Sequence, residues 1–86
     1  MASYEIVFRK SVARDLRAFP KIDVRRILQR IRLLADDPRP QGCEKLSGQE
    51  KYRVRQGVYR IVYEIEDKRL LVLIVRIGHR RDVYRK

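Results

Sequence analysis

Eighty-six residues suffice for one domain, residues 1–86, and leave no room for a second hydrophobic core. Lys and Arg number 22 against 11 Asp and Glu, giving a net charge of +11, and sixteen of the 22 are arginines. Such an excess opposes compaction by self-repulsion, so it points to a polyanionic partner and away from a neutral metabolite.

In chain order, Tyr4, Ile6 and Phe8 alternate with Glu5, Val7 and Arg9, which predicts a short strand. Ser11 is placed to cap a helix with Val12, Leu16 and Phe19 on one stripe, ending before Pro20. Pro20 suits the first position of a second helix. There Val24, Ile27, Leu28, Ile31, Leu34 and Ala35 keep steps of three and four, while Arg25, Arg26, Arg30 and Arg32 fall mostly off the stripe. Asp36-Asp37-Pro38 stops it, and residues 38–50, with two prolines and two glycines, are expected to form a loop. The period then becomes two. Tyr52 and Val54 alternate with Arg53 and Arg55, and Tyr59, Ile61, Tyr63 and Ile65 alternate with Arg60, Val62 and Glu64. Gln56-Gly57 between them predicts a tight hairpin, and Glu66-Asp67-Lys68-Arg69 a further turn. Leu70 to Ile77 is apolar on both faces until Arg76, the pattern of a central strand, with Gly78 ending it. The expected fold is α+β in the order β-α-α-β-β-β, two helices packed on one face of a largely antiparallel, four-stranded twisted sheet.

Several functions are excluded at this level. Cys43 is alone, so no internal disulfide forms, no Cys/His cluster suits a structural zinc, and a reducing, cytoplasmic setting is the default. The longest apolar run, Leu70 to Val75, is far too short to span a bilayer, and the N-terminus lacks the marks of a signal peptide. No phosphate-cradling glycine loop, zinc-hydrolase motif or paired carboxylates for a two-metal nuclease occur, so no cofactor is expected.

What remains is the polar sheet face. A hairpin at Gln56-Gly57 would bring Arg53, Arg55 and Arg60 to one side, and like charges placed opposite one another destabilise a sheet unless something compensates them. Charged alternation is usually just a solvated face; a bound phosphate would give it a purpose. Beyond the last strand follow His79, Arg80, Arg81 and Tyr84. Histidine is the side-chain type whose unperturbed pKa lies near neutrality, and an imidazole beside guanidinium groups is biased toward its neutral, proton-accepting form. Tyr84 could stack on a nucleobase or give up a proton. Metal-free RNA cleavage needs a base for the 2′-hydroxyl, cations for charge developing on the phosphate and an acid for the leaving 5′-oxygen. Arginines, a histidine and a tyrosine fit that inventory, although arginine itself stays protonated and cannot be the base.

Lys45-Leu46-Ser47-Gly48, Tyr52-Arg53-Val54-Arg55, Gly57-Val58-Tyr59-Arg60-Ile61-Val62-Tyr63 and Ile77-Gly78-His79-Arg80-Arg81-Asp82-Val83-Tyr84 together resemble the RelE toxins of the RelE/ParE superfamily, from prokaryotic type II toxin–antitoxin modules. The resemblance covers nearly the whole chain. It implies a ribosome-dependent endoribonuclease that cleaves mRNA in the decoding site, held in a hetero-oligomer by a cognate antitoxin. By motif position it implies that Arg53 and Arg55 bind the scissile phosphate, that Arg60 stabilises the transition state, and that His79 and Arg80 form the basic pair after the final glycine. Tyr84 would stack on or orient the mRNA base, and Lys45 and Arg81 would add RNA contacts. Family members carry lysines, one a candidate base, where this chain has Arg53 and Arg55, so His79 or Tyr84 is the substitute base. A ParE-like toxin that binds DNA gyrase, or a basic RNA-binding module without catalysis, are the alternatives. For a +11 chain the expected antitoxin is an acidic, amphipathic segment that wraps the toxin.

Overall fold

The computed structural model describes residues 3–46 and 51–79. The elements are β1 (Glu5–Phe8), α1 (Lys10–Arg17), α2 (Lys21–Leu34), β2 (Glu44–Lys45), β3 (Lys51–Gln56), β4 (Tyr59–Glu66), a 3-10 turn (Asp67–Arg69) and β5 (Leu71–His79). The strands form one sheet in the order β1-β5-β4-β3-β2; β1 runs parallel to β5 and the other neighbours are antiparallel. The sheet therefore has five strands among the described residues, not four. The extra one, β2, lies inside the expected loop and pairs Glu44 with Arg53 and Lys45 with Tyr52. Two residues are too few for alternation to show in a sequence.

Both helices pack on one sheet face. Val12 from α1 and Ile27, Ile31 and Leu34 from α2 are buried against Val54, Ile61, Tyr63, Val72, Ile74 and Ile77. Each such side chain contributes about 1.5–3 kcal/mol by leaving water. The tyrosines of β3 and β4 turn inward with the aliphatic residues. Tyr59 packs on Phe19 at 4.7 Å and donates its hydroxyl to Asp23 at 2.8 Å, while the buried Tyr63 hydroxyl donates to the Pro38 carbonyl at 2.7 Å. Among the described residues no helix is long and apolar enough to cross a membrane.

Three local details differ from expectation. Helix α1 begins at Lys10 after Arg9, with no side-chain cap, so Ser11 is inside it. The hairpin turns at Gly57-Val58, one residue later, because Gln56 pairs with Tyr59. Gly57 has φ 61, the positive value that the first central residue of a II′ hairpin turn needs. The last strand is shifted at both ends: Leu70, with φ 52, belongs to the turn, and β5 continues through Gly78 to His79, because these two pair with Arg60 and Tyr59.

Candidate nucleic-acid interface

The β3–β4 register puts Arg55 directly opposite Arg60 and Arg53 opposite Val62. Side chains alternate along each strand, so Arg53, Arg55, Arg60 and Val62 share the face away from the helices. On β5 the same face receives Arg76, opposite Val62, and Gly78, opposite Arg60. With no side chain at Gly78, Arg60 sits beside bare backbone, and it is only 4% exposed. Arg55 and Arg76 are exposed. The convergence of Arg53, Arg55 and Arg60 expected from alternation is present.

Two predicted residues lie elsewhere. Lys45 faces Tyr52 in the register, hence the opposite side of the sheet from Arg53. His79 pairs with Tyr59 on the helix side and meets that ring edge-on, with centroids 6.2 Å apart. It does not join the arginine cluster. The reason is a β-bulge in the β4–β5 ladder: Tyr63 pairs with Ile74 but Val62 with Arg76, leaving Val75 as the extra residue. Strict alternation from Val72 and Ile74 would turn Arg76 into the core and His79 onto the arginine face. The bulge reverses both. Arg80, Arg81 and Tyr84 lie outside the described residues.

The structure also adds a residue that alternation could not disclose. Arg53 donates from Nη2 and Nε to Glu44 Oε1 at 2.6 and 3.2 Å. That bond, with smaller contributions from the charges of Arg55 and Arg60, holds the Glu44 carboxyl below the usual carboxylate range. Arg76 is the second missed member of this face; its role depends on the bulge, which has no signature in an apolar run. From the helix side, Arg30 reaches around to the Arg55 carbonyl at 3.4 Å, so α2 helps to fix the strand that carries the cluster. The arrangement can bind an anion through several forks and neutralise charge that develops on it.

Between α1 and α2, on the opposite side of the molecule, lies an apolar groove of about 560 Å³ formed by Leu16, Phe19, Val24 and Leu28 and rimmed by Arg17, Lys21 and Arg25. Among the described residues no acidic one lines it.

Comparisons with known proteins give the family and the fold. The family described as the ParE toxin of type II toxin–antitoxin systems, parDE, matches residues 6–84. Toxin RelG of Mycobacterium tuberculosis is 43% identical over 35 residues, a stretch that covers 41% of this chain and 40% of RelG. The toxin–antitoxin complex RelBE2 of M. tuberculosis contains a chain superposing with a TM-score of 0.83 at 26% identity, covering 92% of this chain and 93% of that one. The archaeal RelE–RelB complex of Pyrococcus horikoshii gives 0.82 at 30% identity, with 91% and 96% covered. The chain thus belongs to the ParE toxin family of type II toxin–antitoxin systems and, within the RelE/ParE superfamily, is a RelE-like toxin.

Proposed function

We propose that the chain is a ribosome-dependent endoribonuclease that inhibits translation by cutting translated mRNA. The observation that carries this is the shared sheet face of Arg53, Arg55 and Arg60, with Arg55 directly opposite Arg60, a concentration of positive charge suited to a phosphodiester. In the reaction the 2′-hydroxyl loses its proton and its oxygen bonds to the adjacent phosphorus. The bond to the 5′-oxygen breaks, and that oxygen takes up a proton. The extra negative charge on the phosphoryl oxygens is met by Arg60, with Arg53 and Arg55 holding the group in place, so no metal is needed. His79, on the far side of the sheet, is not the base of this scheme; Tyr84 is the remaining candidate, with Arg80 and Arg81 assisting on the RNA.

A cognate antitoxin is part of the same proposal. The RelBE2 and P. horikoshii relatives are complexes with such partners. An acidic amphipathic segment would lay its apolar side along Leu16, Phe19, Val24 and Leu28 and its carboxylates against Arg17, Lys21 and Arg25.

The second reading is gyrase inhibition, favoured by the parDE description of the matching family. Brief expression of the toxin followed by mapping of message 5′ ends separates the two. Codon-phased cuts in translated messages, lost in Arg60→Ala, are expected. Intact messages with damaged DNA would replace the nuclease reading by the gyrase one.

A further inference from the structure

The arginine face carries an anion of its own. Glu44 Oε1 accepts both Nη2 and Nε of Arg53, and the two residues face each other in the β2–β3 register. The Arg53 side chain is 16% exposed and that of Glu44 60%, so the cation is fixed in the sheet and the carboxylate is the part free to leave. Arg55 and Arg60 act on the same carboxylate from farther away. An ion pair whose carboxylate is this exposed adds little to folding. It does occupy the donors that a phosphate oxygen would use, with the same sign of charge and the same kind of charge-assisted bond. Held on β2, the carboxylate competes at an effective concentration in the millimolar range or above, as a short tether provides.

We propose that Glu44 is a resident anion of the Arg53–Arg55–Arg60 site and lowers its affinity for RNA, a phosphodiester binding by taking the place of the Glu44 carboxylate on Arg53. No covalent bond changes in this exchange: the carboxylate turns out into water and the Arg53 N–H donors pass to phosphate oxygens. The inference rests on the phosphate-binding reading above and adds a discrimination to it. Free RNA has to displace a tethered competitor at its own low concentration. A message held in place by a larger assembly presents its phosphate at a comparable effective concentration and displaces Glu44 readily. Glu44 is on this view a positioning residue that weakens unproductive binding.

The probe is a 2′-O-methyl oligouridine, which has no 2′-hydroxyl to attack and whose bases stay neutral in mild acid. Fluorescence anisotropy at fixed salt compares wild type with Glu44→Gln, Glu64→Gln and Arg55→Gln, and Glu44→Ala covers the case in which the new amide still accepts from Arg53. Glu64 lies opposite Lys51 on the same sheet face, so its replacement removes an equal charge without touching Arg53. Glu44→Gln or Glu44→Ala is expected to bind about fivefold more tightly at pH 7, near the upper end for an exposed pair, with Glu64→Gln within about twofold of wild type. Because Arg53 lowers the Glu44 carboxyl from 4.5, the pair is complete above that value and is lost as the pH falls through the lowered one. The advantage of the variants should shrink over that acid range. Equal tightening by Glu44→Gln and Glu64→Gln, or no tightening by either Glu44 variant, overturns the exchange. If Arg55→Gln weakens binding in that case, the phosphate site stands and only the role of Glu44 falls; if Arg55→Gln binds like wild type, both fall.

Discussion

Leu70 holds a left-handed backbone, φ 52, a conformation that costs a residue with a Cβ about 1–2 kcal/mol. The chain imposes it. Glu66 pairs with Leu71, the Leu70 N–H donates to Asp67 O at 3.2 Å, and the Leu70 carbonyl accepts the Glu5 N–H at 2.8 Å, so the backbone is tied on both sides while the side chain stays largely exposed. Leu70→Gly should raise stability by about 0.5–1 kcal/mol, after allowing for the greater freedom of glycine in the unfolded chain. A urea titration checks this: a higher midpoint at unchanged slope is expected, and a lower midpoint would mean that the leucine side chain contributes more than the strain removes. The sequence offers no hint of it, since neither Gly nor Asn marks the turn. The inward tyrosines and the outward arginines of β3 and β4 are the opposite case. Their positions follow from a period of two, and Arg53, Arg55 and Arg60 come together as that period requires. Glu44 was not legible because its place depends on a two-residue strand whose only distinguishing feature is its partner, Arg53.

At the scale of elements, the two helices and strands β3 and β4 were legible because each repeats its period, and β5 because of its unbroken apolar run. The bulge in β5 was not. Its residues, Leu71 to Ile77, are nearly all apolar, so one extra residue leaves no mark, yet it decides that Ile77 enters the core, that Arg76 joins the arginine face and that His79 leaves it. A second device ties elements distant in sequence. Asp67 Oδ1 accepts the Tyr4 hydroxyl at 2.8 Å, and its two carboxylate oxygens accept Arg39 Nη1 and Nη2 at 3.1 and 2.9 Å. The Arg39 guanidinium also lies 5.3 Å from the Tyr52 ring centre, so the approach to β1, the loop after α2, β3 and the 3-10 turn meet at one carboxylate. The Arg39 bonds, then the Tyr4 bond, lower the Asp67 carboxyl from 3.8. A lowered carboxyl stabilises the fold above its ordinary value, and that stabilisation is lost as the pH falls through the lowered one. Asp67→Asn should therefore melt below wild type at pH 7, with the gap closing below pH 3.8. A gap independent of pH would show that the loss is one of packing.

For the whole molecule, the +11 charge divides into parts that composition could not separate. Arg17, Lys21 and Arg25 rim an apolar groove on the helix side, where a partner segment of opposite charge is the natural complement. Arg30, mostly off the apolar stripe of α2, reaches a strand carbonyl. Arg53, Arg55, Arg60 and Arg76 cover the far face of the sheet, where Glu44 keeps one of them partly neutralised. Two faces of one small domain thus carry basic charge with the sheet between them, and the proposed function assigns one to an acidic inhibitor and the other to a message. The most direct test of the proposed chemistry uses purified toxin with ribosomes programmed by two otherwise identical messages, one all-ribose and one bearing a single 2′-deoxy nucleotide on the 5′ side of the cut. Attack by the 2′-hydroxyl predicts cleavage of the first, leaving a 2′,3′-cyclic phosphate, and none at that position of the second. Equal cleavage of both messages, or of neither, would contradict it.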